Sequence, residues 1–368
     1  MNLRFTVTYH VQADGAAAAE ARAKAIAVEQ SVEMPVGGID DLTVLTDIVG
    51  QVGHIDPLPD GSFAISIGLA ISTILDAEGR GDFGQFVNML FGNTSLHPDV
   101  VLHDVDLPET TGFNGPRHGI AGLRRLVGAP DRALTCSALK PQGLAPERLA
   151  ELAERFALGG VDFIKDDHGL ADQIYSPFAR RVPACAAAVR RANAATGGAT
   201  LYAPSLSGNL DQLRAQLALA RNAGIAIVIV SPMIAGPSNI QALVSENPDI
   251  AFIAHPTLGG AARIAPELLI GKLFPLLGAD AVVFPTYGGR FGYSQKTCRY
   301  LAGNARLAKT PSLPTPAGGM TLARVAEKLD FYGPDTMLLI GGNLLLARER
   351  LTEETATFVR AVADHVYG

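Results

Sequence analysis

Residues 133–167 read ALTCSALKPQGLAPERLAELAERFALGGVDFIKDD and carry one full unit of the rhythm that decides the fold. Residues 133–140 form a short apolar run that ends on Lys140. It is too short for a helix and too uniformly apolar for a strand with one wet face, so it suits a parallel strand buried on both faces. Residues 146–158 follow, with Pro146 near the first turn and apolar residues three and four apart, the pattern of an amphipathic helix. A second apolar run, residues 161–167, closes the unit on Lys165, Asp166 and Asp167.

The same rhythm continues to the C-terminus. Further apolar runs occupy 199–206, 225–232, 249–256, 281–286, 312–319 and 336–342. Helical patterns lie between them, one at 209–222 opening on Asn209 as N-cap, others at 321–329 and 353–366. Eight strand–helix pairs predict a closed (β/α)8 barrel over residues 116–368. An open doubly wound sheet is the alternative, but no GxGxxG fingerprint follows the first strand. The first 115 residues read differently: strands at 3–11, 42–49, 63–69 and 100–107, helices at 15–30 and 84–91. That order predicts a small N-terminal α+β domain of the ferredoxin-like kind, with its boundary in residues 110–119.

Composition narrows the function classes. Apolar residues make up 48% and charged residues 18% of 368, a globular balance. A net charge of −6 argues against nucleic acid or an anionic membrane as the main partner. The three cysteines, Cys136, Cys185 and Cys298, are far apart and fit a reducing compartment. The most apolar stretch, residues 63–75, is too short to span a bilayer, and the N-terminus lacks signal-peptide shape. A cytoplasmic location is therefore expected. The 39 glycines point to many loops that bring backbone close to a ligand.

In a (β/α)8 barrel the chemistry sits at the C-terminal strand ends. The first run ends with Lys140, the second with Lys165, Asp166, Asp167 and His168, and the fifth with His255. The sixth is followed by TYGGRFGYS with Arg290, where Gly288 and Gly289 would let the loop move. The seventh and eighth end with Gly318–Gly319 and Gly341–Gly342, the positions at which this fold binds phosphate through backbone N–H groups. Strand alternation puts Lys165 and Asp167 on one face and Asp166 and His168 on the other. The first pair reads as part of a divalent-cation site or as a plain ion pair at a strand end. Lys140 reads as a general base or as a solvated strand cap, and His255 as a catalytic or a core histidine.

GGVDFIKDD (residues 159–167) closely resembles the second-strand motif of the Rubisco large-subunit superfamily. GPRHGI (115–120), SALKP (137–141), AGG (317–319) and GG (341–342) resemble other motifs of that family in consistent order over nearly the whole chain. The resemblance implies that Lys165 is carbamylated by CO2 and binds Mg2+ with Asp167, and that Glu29 and Asn93 complete the site of a partner subunit in a homodimer with shared active sites. It also marks departures. His168 replaces the second acidic ligand and Gln142 a second lysine. Pro256 replaces a phosphate-gripping arginine, Phe284 a histidine, Arg290 a lysine and Ala317 a serine. These losses fall on groups used for carboxylation, so the resemblance is to the Rubisco-like proteins, which keep the enolisation half of the chemistry.

The implied activity is isomerisation of a phosphorylated sugar, 5-methylthioribulose 1-phosphate, in methionine salvage. Lys140 would be the base, and Pro256, Phe284 and Ala317 an apolar wall for the methylthio end. The alternatives are an enolase acting on 2,3-diketo-5-methylthiopentyl 1-phosphate, a decarboxylase or hydrolase of an oxo-sugar-acid phosphate, and a non-catalytic sugar-phosphate sensor.

Overall fold

The computed structural model describes residues 3–108, 112, 113 and 115–367. Residues 110, 111 and 114 of the expected boundary stretch lie outside the described residues. The chain divides into two compact units, Met1–Asn114 with Gly259–Leu269, and Gly115–Leu258 with Ile270–Gly368.

The first unit holds β1 (Arg4–Val11), α1 (Ala16–Glu29), β2 (Gln51–Pro57), β3 (Phe63–Ala70), α2 (Phe83–Phe91) and β4 (Val100–Asp106). Its sheet is antiparallel in the order β2-β3-β1-β4. Alternate residues of β1, Phe5, Val7, Tyr9 and Val11, are fully buried. Phe5 meets Phe86 of α2 edge-on at 5.8 Å, and the Tyr9 hydroxyl donates to the Leu90 carbonyl at 2.6 Å. The strand expected at 42–49 is instead a wide helical turn, Val44–Ile48, and the neighbouring strand is β2. β2 is an exposed edge strand with a register break between Val52 and Ile55, so it carries no apolar alternation to betray it. Residues 259–269, read from sequence as part of the barrel, add a strap to this unit. Leu102 N–H donates to the Arg263 carbonyl at 2.9 Å, and Ala265 N–H donates to the Leu102 carbonyl at 2.8 Å.

In the second unit each of the eight apolar runs contains one parallel strand. They are β5 (Leu134–Leu139), β6 (Phe163–Asp166), β7 (Leu201–Ala203), β8 (Ile227–Val230), β9 (Ala251–Ala254), β10 (Ala281–Pro285), β11 (Leu313–Ala317) and β12 (Met337–Leu339). They form two four-stranded sheets, β12-β5-β6-β7 and β8-β9-β10-β11. Between β7 and β8, Leu206 N–H donates to Ile229 O and Ile229 N–H to Pro204 O, both at 2.9 Å. At the β11–β12 seam, residues 313 and 317 turn their backbone groups toward β10, which leaves Pro314 and Pro316 facing β12. Proline has no N–H to give, so this seam closes through Thr336 Oγ1, which donates to the Pro314 carbonyl at 3.0 Å.

Strand parity sets the interior. Leu134, Cys136, Phe163, Ile227, Ile229, Ala251, Ile253, Ala281, Val283 and Leu313 share one buried cluster. α3 (Gly119–Val127) lays Ile120, Leu123 and Val127 against it. The outer layer includes α4 (Pro146–Leu158), α5 (Phe178–Thr196), α6 (Leu210–Asn222), α7 (Pro237–Glu246), α8 (Gln295–Ala305), α9 (Val325–Tyr332) and α10 (Leu351–Ala363). α6 starts at Asn209, whose side chain accepts from Gln212 N–H in a capping box. Each cysteine is buried and unbridged, and among the described residues no helix is long and apolar enough to cross a membrane.

Candidate active site

Counting by twos along the inward face of each strand arrives at the candidate residues. Leu134, Cys136 and Ala138 lead to Lys140; Phe163 leads to Lys165 and Asp167; Ala251 and Ile253 lead to His255. The side chains of Lys140, Lys165, Asp167, His168 and His255 form one cluster. Lys140 Nζ lies 2.6 Å from Asp167 Oδ1, and His168 Nδ1 lies 3.4 Å from the same oxygen. Lys165 is buried and donates from Nζ to the Asp166 carbonyl at 3.0 Å. The His168 and His255 rings stack at 4.5 Å, and His255 Nδ1 shares a 2.6 Å hydrogen bond with Thr257 Oγ1.

The cluster polarises its own members. Burial works against charge on Asp167, but hydrogen bonds from His168 and Lys140, with the charges of Lys165 and Lys140, hold its pKa well below the usual carboxylate range. Burial, reinforced by the Lys140 charge, lowers the pKa of the Lys165 ammonium, against the pull of Asp167 and Asp166. Burial and then the charges of Lys165 and His168 push His255 down to about 2, so its imidazole is neutral at physiological pH.

The expectation that Asp166 and His168 share a face fails for His168. β6 ends at Asp166, and alternation has no hold on a residue beyond the strand. Asp166 does turn away from the mouth. It accepts from Tyr202 Oη at 2.7 Å, Arg181 Nε at 3.2 Å and Ser205 N–H at 3.1 Å. Asp166 and Arg181 are both fully buried, and Arg181 also donates to the Ser176 and Ala171 carbonyls at 2.7 Å each. This network anchors the strand end that presents Lys165 and Asp167. Arg181 and Tyr202 were invisible in the sequence, because their partnership depends on α5 and β7 packing across β6.

Phe284 is not part of a mouth wall. Ala281 and Val283 face the interior, so Phe284 faces the helix layer, fully buried, with its ring 5.9 Å from Tyr332 of α9. The glycine pairs end neighbouring strands. A Cβ on Gly341 would lie 3.6 Å from Lys140 Cε, so Gly341 keeps backbone close to that lysine. Gly318 and Gly319 have φ of +80° and +107°, and Arg290 N–H donates to the Gly318 carbonyl at 3.2 Å. The Arg290 guanidinium rests on the Phe291 ring, 4.9 Å from its centroid, and not in the lysine–carboxylate cluster. A cleft of about 400 Å³ opens beside Lys140, lined by Pro141, Leu144, Arg148, Leu152 and Leu345.

In the first unit, Glu29 and Asn93 are brought together from 64 residues apart. Asn93 Nδ2 donates to Glu29 Oε1 at 3.0 Å and to Glu33 Oε1 at 2.6 Å. Glu33 was missed in the sequence. Its φ of +55° is a strained conformation for a non-glycine residue and aims its carboxylate at Asn93.

Comparison with known proteins agrees with this geometry. Residues 119–296 match the family model of the ribulose bisphosphate carboxylase large chain, catalytic domain. The chain is 59% identical to the 5-methylthioribulose-1-phosphate isomerase of Rhodospirillum rubrum, over 99% of this chain and 97% of that protein. It is 34% identical to the 2,3-diketo-5-methylthiopentyl-1-phosphate enolase of Geobacillus thermodenitrificans, over 72% and 67% of the two chains. The crystal structure of a Rubisco-like protein from Rhodopseudomonas palustris superposes with a TM-score of 0.91 at 52% identity, covering both chains fully. With its inward lysines and carboxylate on a parallel (β/α) frame, and relatives this similar along its whole length, the chain belongs to the Rubisco large-chain superfamily as a Rubisco-like protein.

Proposed function

We propose that the protein is a non-carboxylating isomerase of 5-methylthioribulose 1-phosphate, acting by enolisation and proton transfer. The observation that carries this reading is the convergence of Lys140, Lys165 and Asp167 at one barrel mouth, in a chain 59% identical to a protein named for that activity. The phosphate sits on the backbone of Gly318, Gly319, Gly341 and Gly342. Lys140, as its free amine, takes the proton from the substrate carbon, and as the resulting ammonium beside Asp167 it returns a proton to the enediolate. Its Cε lies beside the space a Gly341 side chain would take, on the way to the carbon atoms next to a phosphate held there, and Asp167 holds it in place. Neutral His255, oriented by Thr257, offers a hydrogen bond to the substrate's oxygens without adding positive charge. Arg290 borders the phosphate loop through Gly318.

The donor chemistry at the mouth fits Mg2+ when Lys165 carries a carbamate. The lowered pKa of Lys165 favours the free amine that reacts with CO2. The carbamate and Asp167 then supply two anionic oxygens, with His168 as a nitrogen neighbour. With Lys165 as an amine, no three His, Cys, Asp or Glu side chains among the described residues converge on a cation position. A cation held by the Lys165 carbamate and Asp167 would supply positive charge for the oxygens of an enolising substrate.

The active unit is a homodimer in which Glu29 and Asn93, held together with Glu33, complete the partner's mouth. Exposed Ile174, Ile234, Leu258, Phe291 and Leu346, in the segments that follow β6, β8, β9, β10 and β12, are the apolar side chains such a partner would cover. The enolase reading rests on the Geobacillus relative, which matches a smaller share of the chain at lower identity. Phosphorus NMR of the purified protein with 5-methylthioribulose 1-phosphate tests the proposal: an isomeric sugar phosphate supports it. Absence of an isomer, with enol absorbance growing from the diketo phosphate, replaces it with the enolase. Activity followed through chelation and Mg2+ restoration tests the cation.

A further inference from the structure

The loop after β10 carries Arg290 and two glycines, and its sequence suggests a hinge. Its surroundings say otherwise. Lys328 of α9 is fully buried, donates from Nζ to the Tyr287 carbonyl at 3.0 Å and sits 3.0 Å from the centroid of the Tyr287 ring. One turn earlier, Arg324 donates from Nη1 to the Gly288 carbonyl at 2.8 Å and from Nη2 to the Tyr287 carbonyl at 3.4 Å. Glu327 binds both cations. It accepts from Arg324 at 2.9 and 3.0 Å and from Lys328 at 3.2 Å. Phe331 packs on Tyr287 at 4.6 Å.

Held from this side, the loop presses on the phosphate glycines from the other. A Cβ on Gly289 would lie 2.1 Å from the Gly318 carbonyl oxygen, and one on Gly288 would lie 2.8 Å from Arg324 Nη2. Gly289 is therefore small to permit close approach of backbone to backbone, and Gly288 holds a φ of +61° that favours glycine; neither needs a swinging loop to explain it. Burying a lysine costs stability that an apolar residue of similar size would not, so its presence asks for a use beyond packing.

We propose that Arg324 and Lys328 are positioning residues that pin Tyr287 and Gly288 by their carbonyls, making the β10 loop a fixed wall that sets Gly318 and Arg290 at the phosphate end of the mouth. The assignment of that end to phosphate rests on the isomerase reading; the pinning itself does not.

Amide hydrogen exchange at Gly289 and Arg290 tests the pinning in the full-length protein and in Arg324→Gln and Lys328→Met. Their amides donate to Thr286 O at 3.3 Å and Gly318 O at 3.2 Å. Exchange about tenfold or more faster at both amides is expected in each variant, while global unfolding temperature stays near wild type in Lys328→Met. Arg324→Lys, which keeps a cation for Gly288 O, should recover most of the protection. Unchanged exchange in both variants overturns the proposal. In turnover, KM should rise about tenfold with kcat within roughly threefold; faster exchange with an unchanged KM overturns the positioning role. If the wild type does not turn over the substrate, the isomerase reading fails, and the exchange result by itself supports or overturns the pinning.

Discussion

The ammonium of Lys140, one residue past β5, stands 2.6 Å from the carboxylate of Asp167, one residue past β6. β5 and β6 are neighbours in register, Leu139 opposite Asp166, so the pair is set by strand adjacency and needs no loop to assemble it. Asp167 thus holds the lysine proposed to move the proton and faces the lysine that would carry a carbamate. Replacing Lys140 with methionine should lower kcat by about 10²–10⁴-fold, the usual worth of a positioned proton-transfer group. Asp167 is buried but keeps His168 and Lys165 beside it, so the stability cost should stay below the roughly 3–5 kcal/mol of a buried charge left alone. Steady-state kinetics with thermal melting separates the two effects. A kcat within threefold of wild type removes Lys140 from the reaction.

Arg181→Met should unfold the barrel more easily, because it leaves Asp166 buried without its cation. Breaking a buried pair this way costs roughly 3–5 kcal/mol. For a unit of this size that is roughly a 10 °C fall in melting temperature. A fall of under 2 °C would show that Tyr202 and Ser205 hold Asp166 without the arginine.

His255 gives the stability a pH slope. Its folded pKa of about 2 lies below the ordinary histidine value, so between the two the unfolded chain binds the extra proton. Its contribution is therefore full above about pH 6.5 and shrinks as pH falls toward 2. Taking the wild type from pH 7 to pH 5 should cost roughly 2 kcal/mol more than in His255→Gln, measured by urea unfolding at each pH. Parallel losses in the two proteins would place the slope elsewhere.

Much of this was legible in the sequence, for a reason particular residues show. Strands buried on both faces must be apolar throughout, so all eight barrel runs stood out; their ends pointed to Lys140, Lys165, Asp167 and His255, and parity on the second strand paired Lys165 with Asp167. Reading failed where that logic stops. His168 lies beyond its strand, and β2 is an edge strand whose polar residues meet solvent. Phe284 was assigned to the mouth by resemblance, although parity with Val283 already turned it outward. Glu33 owes its place to a backbone conformation that its residue type does not announce.

Gly289→Ala tests the close approach of two strand-end loops. The added methyl would fall on the Gly318 carbonyl, backbone against backbone, so one loop must shift. A cost of about 1–3 kcal/mol in stability is expected from such overpacking. Affinity for the sugar phosphate should fall with it, read as a raised KM. Wild-type stability and KM together would mean that the loops yield freely.

The most direct test of the central claim is turnover of 5-methylthioribulose 1-phosphate in D2O, followed by proton and phosphorus NMR for the wild type and Lys140→Met. Enolisation by a lysine whose ammonium exchanges with solvent predicts an isomeric product carrying deuterium at the carbon that gains a proton, and little product from the variant. No isomer and no deuterium exchange with the wild type would contradict it.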